Sequence, residues 1–412
     1  MDADVVSQRV RTFYERHPYP PPVASLDKYR RLSQDRQGRR ADFHLVWPAQ
    51  RYREDHSILI AGCGTSQAAK HALRWPAAKI TGVDFSAASV RHTEGLKRKY
   101  DLHNLEVREL PVERVSELAS TFDYIICTGV LHHLPDPDAA LSALRDVLRP
   151  AGAMNIMVYA PYGRTGIYML QELCRRVGIQ PTDAGIRELV EVLAALPAGH
   201  PLATLLREAP DFRNEAALAD ALLHPQDRAY SVPQLFELLE HGRMTFGRWV
   251  RQAPYDPCCG ILARVSPAMH LTDLPAVDRF AAVELFRGTM LRHSVVAYRD
   301  DDCGASHLPS FAGDAWPRYV PIRLPETICV EDRPPPGAAA VLINRTHAYR
   351  DIFLPIDERG KRMFDAIDGT RTIGDIAGLV GRLDDSRALF ERLYLHDQVV
   401  FDISECATAR RE

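Results

Sequence analysis

The chain has 412 residues, 46% hydrophobic and 25% charged, with a formal net charge of −3. That is the composition of a soluble globular protein, long enough for two or three domains at roughly 150 residues each. The near-neutral balance excludes a broad basic surface, so no nucleic-acid partner is expected; no run of about 18 apolar residues is available to span a membrane.

The eight cysteines are scattered and show no CxxC spacing, so neither a metal site nor a disulfide framework is expected. The opening "MDADVVSQRVRTFYERHPYP" lacks an apolar signal region, and a reducing cytoplasm is the expected location. Residues 1–50 read as a polar and aromatic arm, stiffened by "HPYPPP" (17–22), which favours extended or polyproline II backbone. From Ser57 to about Tyr159 short apolar runs alternate with helical ones: "ILIA" (58–61), "KITGVD" (79–84), "LEVRE" (105–109), "FDYIICT" (122–128) and "AMNIMVY" (153–159). That alternation predicts an α/β fold with a mostly parallel sheet and helices on both faces. Residues 163–242 read as a helical insertion punctuated by prolines. "MTFGRWV" (244–250) and "HSVVAYR" (293–299) supply two further strands, with a helix around 275–291 between them. Residues 301–339, rich in Pro, Gly and Asp, read as linker. Residues 340–412 then predict a small separate α+β unit of winged-helix type, with strands at both ends and three helices inside. The main domain is thus expected over 51–300.

"SILIAGCGTSQAAKHALRW" (57–75) runs from a strand through two glycines into a helix. Gly62 and Gly64 permit positive φ and let backbone approach a ligand. A dinucleotide fingerprint would place a third glycine at position 67, where this chain has Gln67, so a dehydrogenase is disfavoured. Asp84 ends the next strand, where a carboxylate can accept from both hydroxyls of a ribose. It can equally act as a local helix cap, a role for which Ser86 is better placed.

"FDYIICTGVLHHLPDPDAALSALRDVLRPAGAMNIMVY" (122–159) resembles class I S-adenosylmethionine (SAM)-dependent methyltransferases over its whole length. The resemblance covers about residues 8–300 and includes a bacterial subgroup with a YxxxPYP leader, here Tyr14 to Pro20. The insertion "DFRNEAALADALLHPQDRAYSVPQL" (211–235) also looks like theirs. It implies a Rossmann-like sheet with SAM as cofactor, held by Gly62, Cys63, Gly64, Asp84, Phe85, Thr128 and Gly129, with the 128–133 loop lining the transfer cleft. Cys63 itself packs as a small hydrophobe. Where relatives place an acid after the third strand, this chain has Pro111, and Glu109 or Glu113 are the substitutes at hand. "LPIDERGKRMFDAIDGTRTIGDIAGLV" (354–380) resembles the small PqqD-like domains that recognise leader peptides, which implies capture of an extended peptide by strand pairing.

Methyl transfer from a sulfonium is an in-line displacement in which alignment does most of the work, and a base helps only when the nucleophile arrives protonated. His132 and His133 are the candidate bases, although either can equally be a loop histidine that shapes the pocket. Tyr14 and Tyr19 are candidates for a lid with aromatic faces toward the sulfonium, or for a packed arm. Tyr159, Tyr162 and Arg164 follow the fifth strand at its ligand-binding end, and Arg164 can hold a carboxylate. "LLHPQDRAY" (222–230) brings His224, Gln226, Asp227, Arg228 and Tyr230 close together as substrate-side candidates. The expected function is transfer of a methyl group from SAM to a peptide or protein recruited by the tail, or to a small metabolite; a catalytically silent SAM-binding module is the alternative from another class.

Overall fold

The computed structural model describes residues 3–18, 20–208, 214–302, 308–380 and 383–408. The apolar runs form strands β1 (Ser57–Ala61), β2 (Lys79–Asp84), β3 (Leu105–Glu109), β4 (Phe122–Thr128) and β5 (Leu148–Tyr159). They pair in parallel in the order β3-β2-β1-β4-β5. Ile58, Leu59 and Ile60 of β1 are wholly buried, as a central strand covered on both faces must be. Helices Gln67–Arg74, Ala87–Tyr100 and Pro137–Val147 make the crossovers. Ser86 caps the second by accepting from the Ser89 amide, and Asp136 caps the third, with Pro137 in its first turn. The strand order turns back between β1 and β4, which opens a crevice at their carboxyl ends, the ligand side of such sheets. Strands β6 (Met244–Trp249) and β7 (Arg292–Arg299) continue the sheet in the order β5-β7-β6.

The insertion forms helices Thr165–Val177, Asp183–Ala194, Pro201–Glu208, Glu215–Leu223 and Val232–His241. Their apolar faces make a core of their own around Leu170, Leu189, Leu202 and Leu222, joined by Phe13 from the helix Ala3–Arg16. Tyr14 therefore stands on a helix rather than on an extended arm. Tyr19 lies outside the described residues.

The chain divides into two compact units, residues 1–31, 55–244 and 284–294 in one, and 32–54, 245–283 and 295–412 in the other. The 1–50 arm thus splits between them near Arg31. The second unit holds strands β8 (Val320–Arg323), β9 (Thr327–Val330), β10 (Ala340–Asn344), β11 (Leu354–Ile356) and β12 (Val399–Asp402). They form small antiparallel sheets, β11-β10-β9 and β12-β8. Helices Glu358–Asp365, Ile373–Val380 and Asp384–Leu395 complete the tail. Helix Arg36–Val46 belongs to this unit, where Arg40 pairs with Asp402 at 3.0 Å.

The stretch 308–339 of the expected linker is packed into this unit. It contributes β8 and β9, and Phe311, Trp316 and Tyr319 enter the same core as Leu342, Ile373, Phe390 and Phe401. Burial of these three aromatic side chains outweighs the turn-forming composition. Trp316→Ala should therefore destabilise this unit by about 3–5 kcal/mol in urea unfolding. A change below about 0.5 kcal/mol, the surface-residue range, would return the stretch to the status of a tether.

Candidate active site

The turn after β1 is built as its glycines require. Gly62 and Gly64 have φ of 67° and 53°, and a Cβ on Gly62 would stand 2.3 Å from a Val130 methyl. Gly62 is thus demanded by both backbone and packing. The close helix–strand approach that a third loop glycine gives in dinucleotide folds is provided here from the strand. Gly82 of β2 faces Ala68, and a Cβ there would lie 2.7 Å from the alanine methyl. Position 67 is left free for a polar side chain. Gln67 donates to the Thr128 hydroxyl at 3.0 Å and ties the loop to the end of β4.

Asp84 is buried at the end of β2. One carboxylate oxygen accepts from the Gly64 amide at 2.8 Å, the other from the Ser86 amide at 2.9 Å. Burial raises its pKa to about 6, while the two amide bonds pull the other way. Each oxygen keeps a further lone pair, so the group can still take two hydroxyl donors, as the ribose of an adenosyl cofactor offers. Cys63 is enclosed, its thiol pushed up in pKa by burial and then by Asp84, which fits packing and not reactivity. Thr65 donates to the Pro20 carbonyl at 2.8 Å, so the proline segment runs beside the glycine loop. Glu109 is engaged by Arg11 at 2.5 Å. Phe85 lies edge-on to the Tyr14 ring, with centroids 6.0 Å apart.

Tyr14 links this end of the crevice to a buried polar cluster. Its hydroxyl donates to Asp220 at 2.9 Å, and burial, then the Asp220 charge, lifts its pKa well above the ordinary value. Its ring lies 6.3 Å from His133 and 5.3 Å from His224. His132 and His133 occupy the short helical turn Leu131–His133 after β4. The ring of His132 is wholly buried between His133 and Tyr159, its nitrogens without hydrogen-bond partners, and burial drives its pKa down. His133 instead bonds through Nδ1 to the Gln226 carbonyl at 2.8 Å and lies beside His224, ring centroids 3.9 Å apart.

Arg164 is occupied. Its guanidinium pairs with Asp227 at 3.0 Å, donates to the Tyr168 hydroxyl at 3.1 Å and lies 3.5 Å from the Tyr159 ring centroid. Releasing it to hold a ligand carboxylate would leave Asp227 buried and uncompensated, so the carboxylate-binding expectation does not suit it. Tyr162 faces solvent. The sequence reading missed Asp220, which together with His133 and His224 places three ligand-type atoms within 4.8 Å of one another. The available signal was an acid in the middle of the otherwise apolar run "AALADALL" (216–223).

Residues 59–154 match the family model described as "Methyltransferase domain". An uncharacterized protein of Synechococcus sp. is 34% identical over 196 residues, 46% of this chain and 47% of that protein. A trans-aconitate 2-methyltransferase of Deinococcus radiodurans is 30% identical over 135 residues, 32% of this chain and 48% of that protein. The chain thus spans about half the length of the curated relatives it matches. Among solved structures, PKMT2 from Rickettsia typhi superposes with a TM-score of 0.63 at 15% identity, covering 93% of this chain and 77% of that one. A second structure of PKMT2, in complex with AdoHcy, superposes with a TM-score of 0.62, also at 15% identity and with the same coverage. At that identity the likeness is one of fold.

Proposed function

We propose that the chain is a SAM-dependent methyltransferase. The observation that carries the reading is the buried Asp84 carboxylate beside the Gly62–Gly64 turn, within a segment that matches a methyltransferase domain. The donor set suits the cofactor: a carboxylate for the ribose at the end of β2, with glycine backbone and the Thr128–Gly129 bend, where Gly129 has φ of 78°, for the methionine part. Bound SAM supplies an electrophilic methyl on a cationic sulfur that leaves as a neutral sulfide. The protein's part is to hold the acceptor in line and keep water out. Tyr14, Phe85 and the His132–His133 turn form the wall between the ribose end and the insertion. Arg164 acts as a positioning residue, holding Tyr159 and Asp227 in place.

The test follows from the Asp84 environment. Its carboxyl must be ionised to accept two hydroxyls, and in the free protein it takes a proton near pH 6. Binding favours the ionised form, so SAM affinity should be constant above that pH. Below it, affinity should fall by up to about tenfold per pH unit. Asp84→Asn should weaken binding by about 1.5–3 kcal/mol at pH 7.5 and abolish the pH dependence, as read by calorimetry. Unchanged affinity in the folded variant would remove Asp84 from the cofactor site.

Recruitment of a peptide acceptor by the tail is a second reading, favoured by a groove of about 530 Å³ between β11 and the last long helix. Ile356, Met363 and Leu389 line it, with Arg359 and Arg392 against the single acid Asp357, which suits an extended acidic peptide. Strand pairing at β11 is limited because Pro355 has no N–H to offer at that edge, so side-chain contacts must carry the grip. Tethering on one chain raises the local substrate concentration without altering chemistry. Arg392→Glu should then raise KM for an acidic peptide substrate while kcat and SAM affinity hold. An unaltered KM would exclude the groove from the function.

A further inference from the structure

The backbone of one residue, Gln226, sets the two neighbouring imidazoles to opposite tautomers. The Gln226 carbonyl can only accept, so Nδ1 of His133, 2.8 Å away, carries the hydrogen and Nε2 keeps its lone pair. The Gln226 N–H can only donate, and it points at Nδ1 of His224 from 3.0 Å. The hydrogen of that neutral ring therefore sits on Nε2, which is buried and has no hydrogen-bond partner. Burial, then the adjacent His133, holds the His224 pKa well below its ordinary value and keeps the ring neutral. The rings are tilted by 36° at a centroid separation of 3.9 Å, and one nitrogen of each lies within 4.8 Å of the other and of an Asp220 oxygen.

We propose that the methyl acceptor is a hydroxyl group, of an alcohol, phenol or enol, seated between Nε2 of His224, which donates to its oxygen, and Nε2 of His133, which takes its proton. This rests on the methyltransferase reading above. A hydroxyl suits the pair because its oxygen has two lone pairs, one for the His224 hydrogen and one for the new bond. A neutral amine has a single lone pair, and spending it on His224 would leave none to attack. A metal ion suits the pair poorly. Coordination through Nε2 of His224 would require that nitrogen to lose its hydrogen while Nδ1 still faces an N–H donor. In the transfer, the oxygen lone pair forms the bond to the methyl carbon, and the carbon–sulfur bond breaks with its electrons staying on sulfur. The hydroxyl proton passes to His133, so the positive charge lost at sulfur reappears as imidazolium. Asp220, held by the Tyr14 hydroxyl, lies close enough to compensate it.

The full chain with 15N-labelled histidine, assigned through His133→Gln and His224→Gln, reports the tautomers directly by two-bond nitrogen–proton correlation at neutral pH. His133 should carry its hydrogen on Nδ1 and His224 on Nε2. The same tautomer on both rings, or stoichiometric zinc binding lost in His224→Gln, overturns the proposal. The methylated product formed from 13C-methyl SAM and a cell extract reports the acceptor atom by its carbon shift. A shift in the oxygen-bound range is expected, and one in the nitrogen- or sulfur-bound range overturns the proposal. On that product His133→Gln should lower kcat by about 10²–10⁴-fold, the scale of general-base catalysis, with SAM affinity unchanged. Equal kcat overturns the base assignment. Failure of the methyltransferase reading itself is seen separately, as absence of SAM binding by calorimetry.

Discussion

A carboxylate taken out of water and held by two backbone amides organises the first unit. Asp84 accepts from Gly64 on one side and Ser86 on the other, so the ends of β1 and β2 are locked to a single anion. An ion so enclosed is costly unless its lone pairs are used, and the raised pKa records the part of that cost left unmet. Asp84 stands at the carboxyl end of β2, on the side where the strand order opens a crevice. A ligand with two hydroxyl donors would offset that cost, which is the role proposed for the ribose of the cofactor. The bends at Gly62 and Gly64 and the Gly82–Ala68 approach all serve to bring backbone to that position.

The insertion supplies what the sheet lacks. A bare α/β sheet offers a cofactor end and an open mouth. Here the helix Glu215–Leu223 and the loop after it place Asp220, His224 and Gln226 over the turn that follows β4. The cluster is polar and buried, with ring nitrogens of His132 and His224 and an oxygen of Asp227 lacking protein partners. The N-terminal helix closes the arrangement through Tyr14 and Phe13, one bonded to Asp220 and the other packed in the insertion core.

The sheet was legible because its signals are local. β1, β2 and β4 read as short apolar runs that a glycine follows or an acid ends, and the Gly62–Asp84 relation spans one crossover. Ser86 could be read as a cap from its position alone. The candidate chemistry was legible only in part, because it joins residues distant in sequence. His133 stood out as half of a histidine pair, yet nothing local distinguished it from His132; the difference comes from the Gln226 carbonyl, which meets one ring and not the other. Arg164 read as a free cation because its partner Asp227 lies in another segment. Residues 308–339 were illegible for a related reason: their prolines are a local signal, while Phe311, Trp316 and Tyr319 pack in a core with strands far along the chain.

The most direct measurement is a crystal structure of the full chain grown with S-adenosylhomocysteine. The ribose hydroxyls should lie within hydrogen-bond distance of the two Asp84 oxygens, with the sulfur directed toward the cleft bounded by Thr128, Tyr14 and His133. A ligand bound elsewhere, or one seated there without contact to Asp84, would contradict the assignment of this crevice as a SAM site.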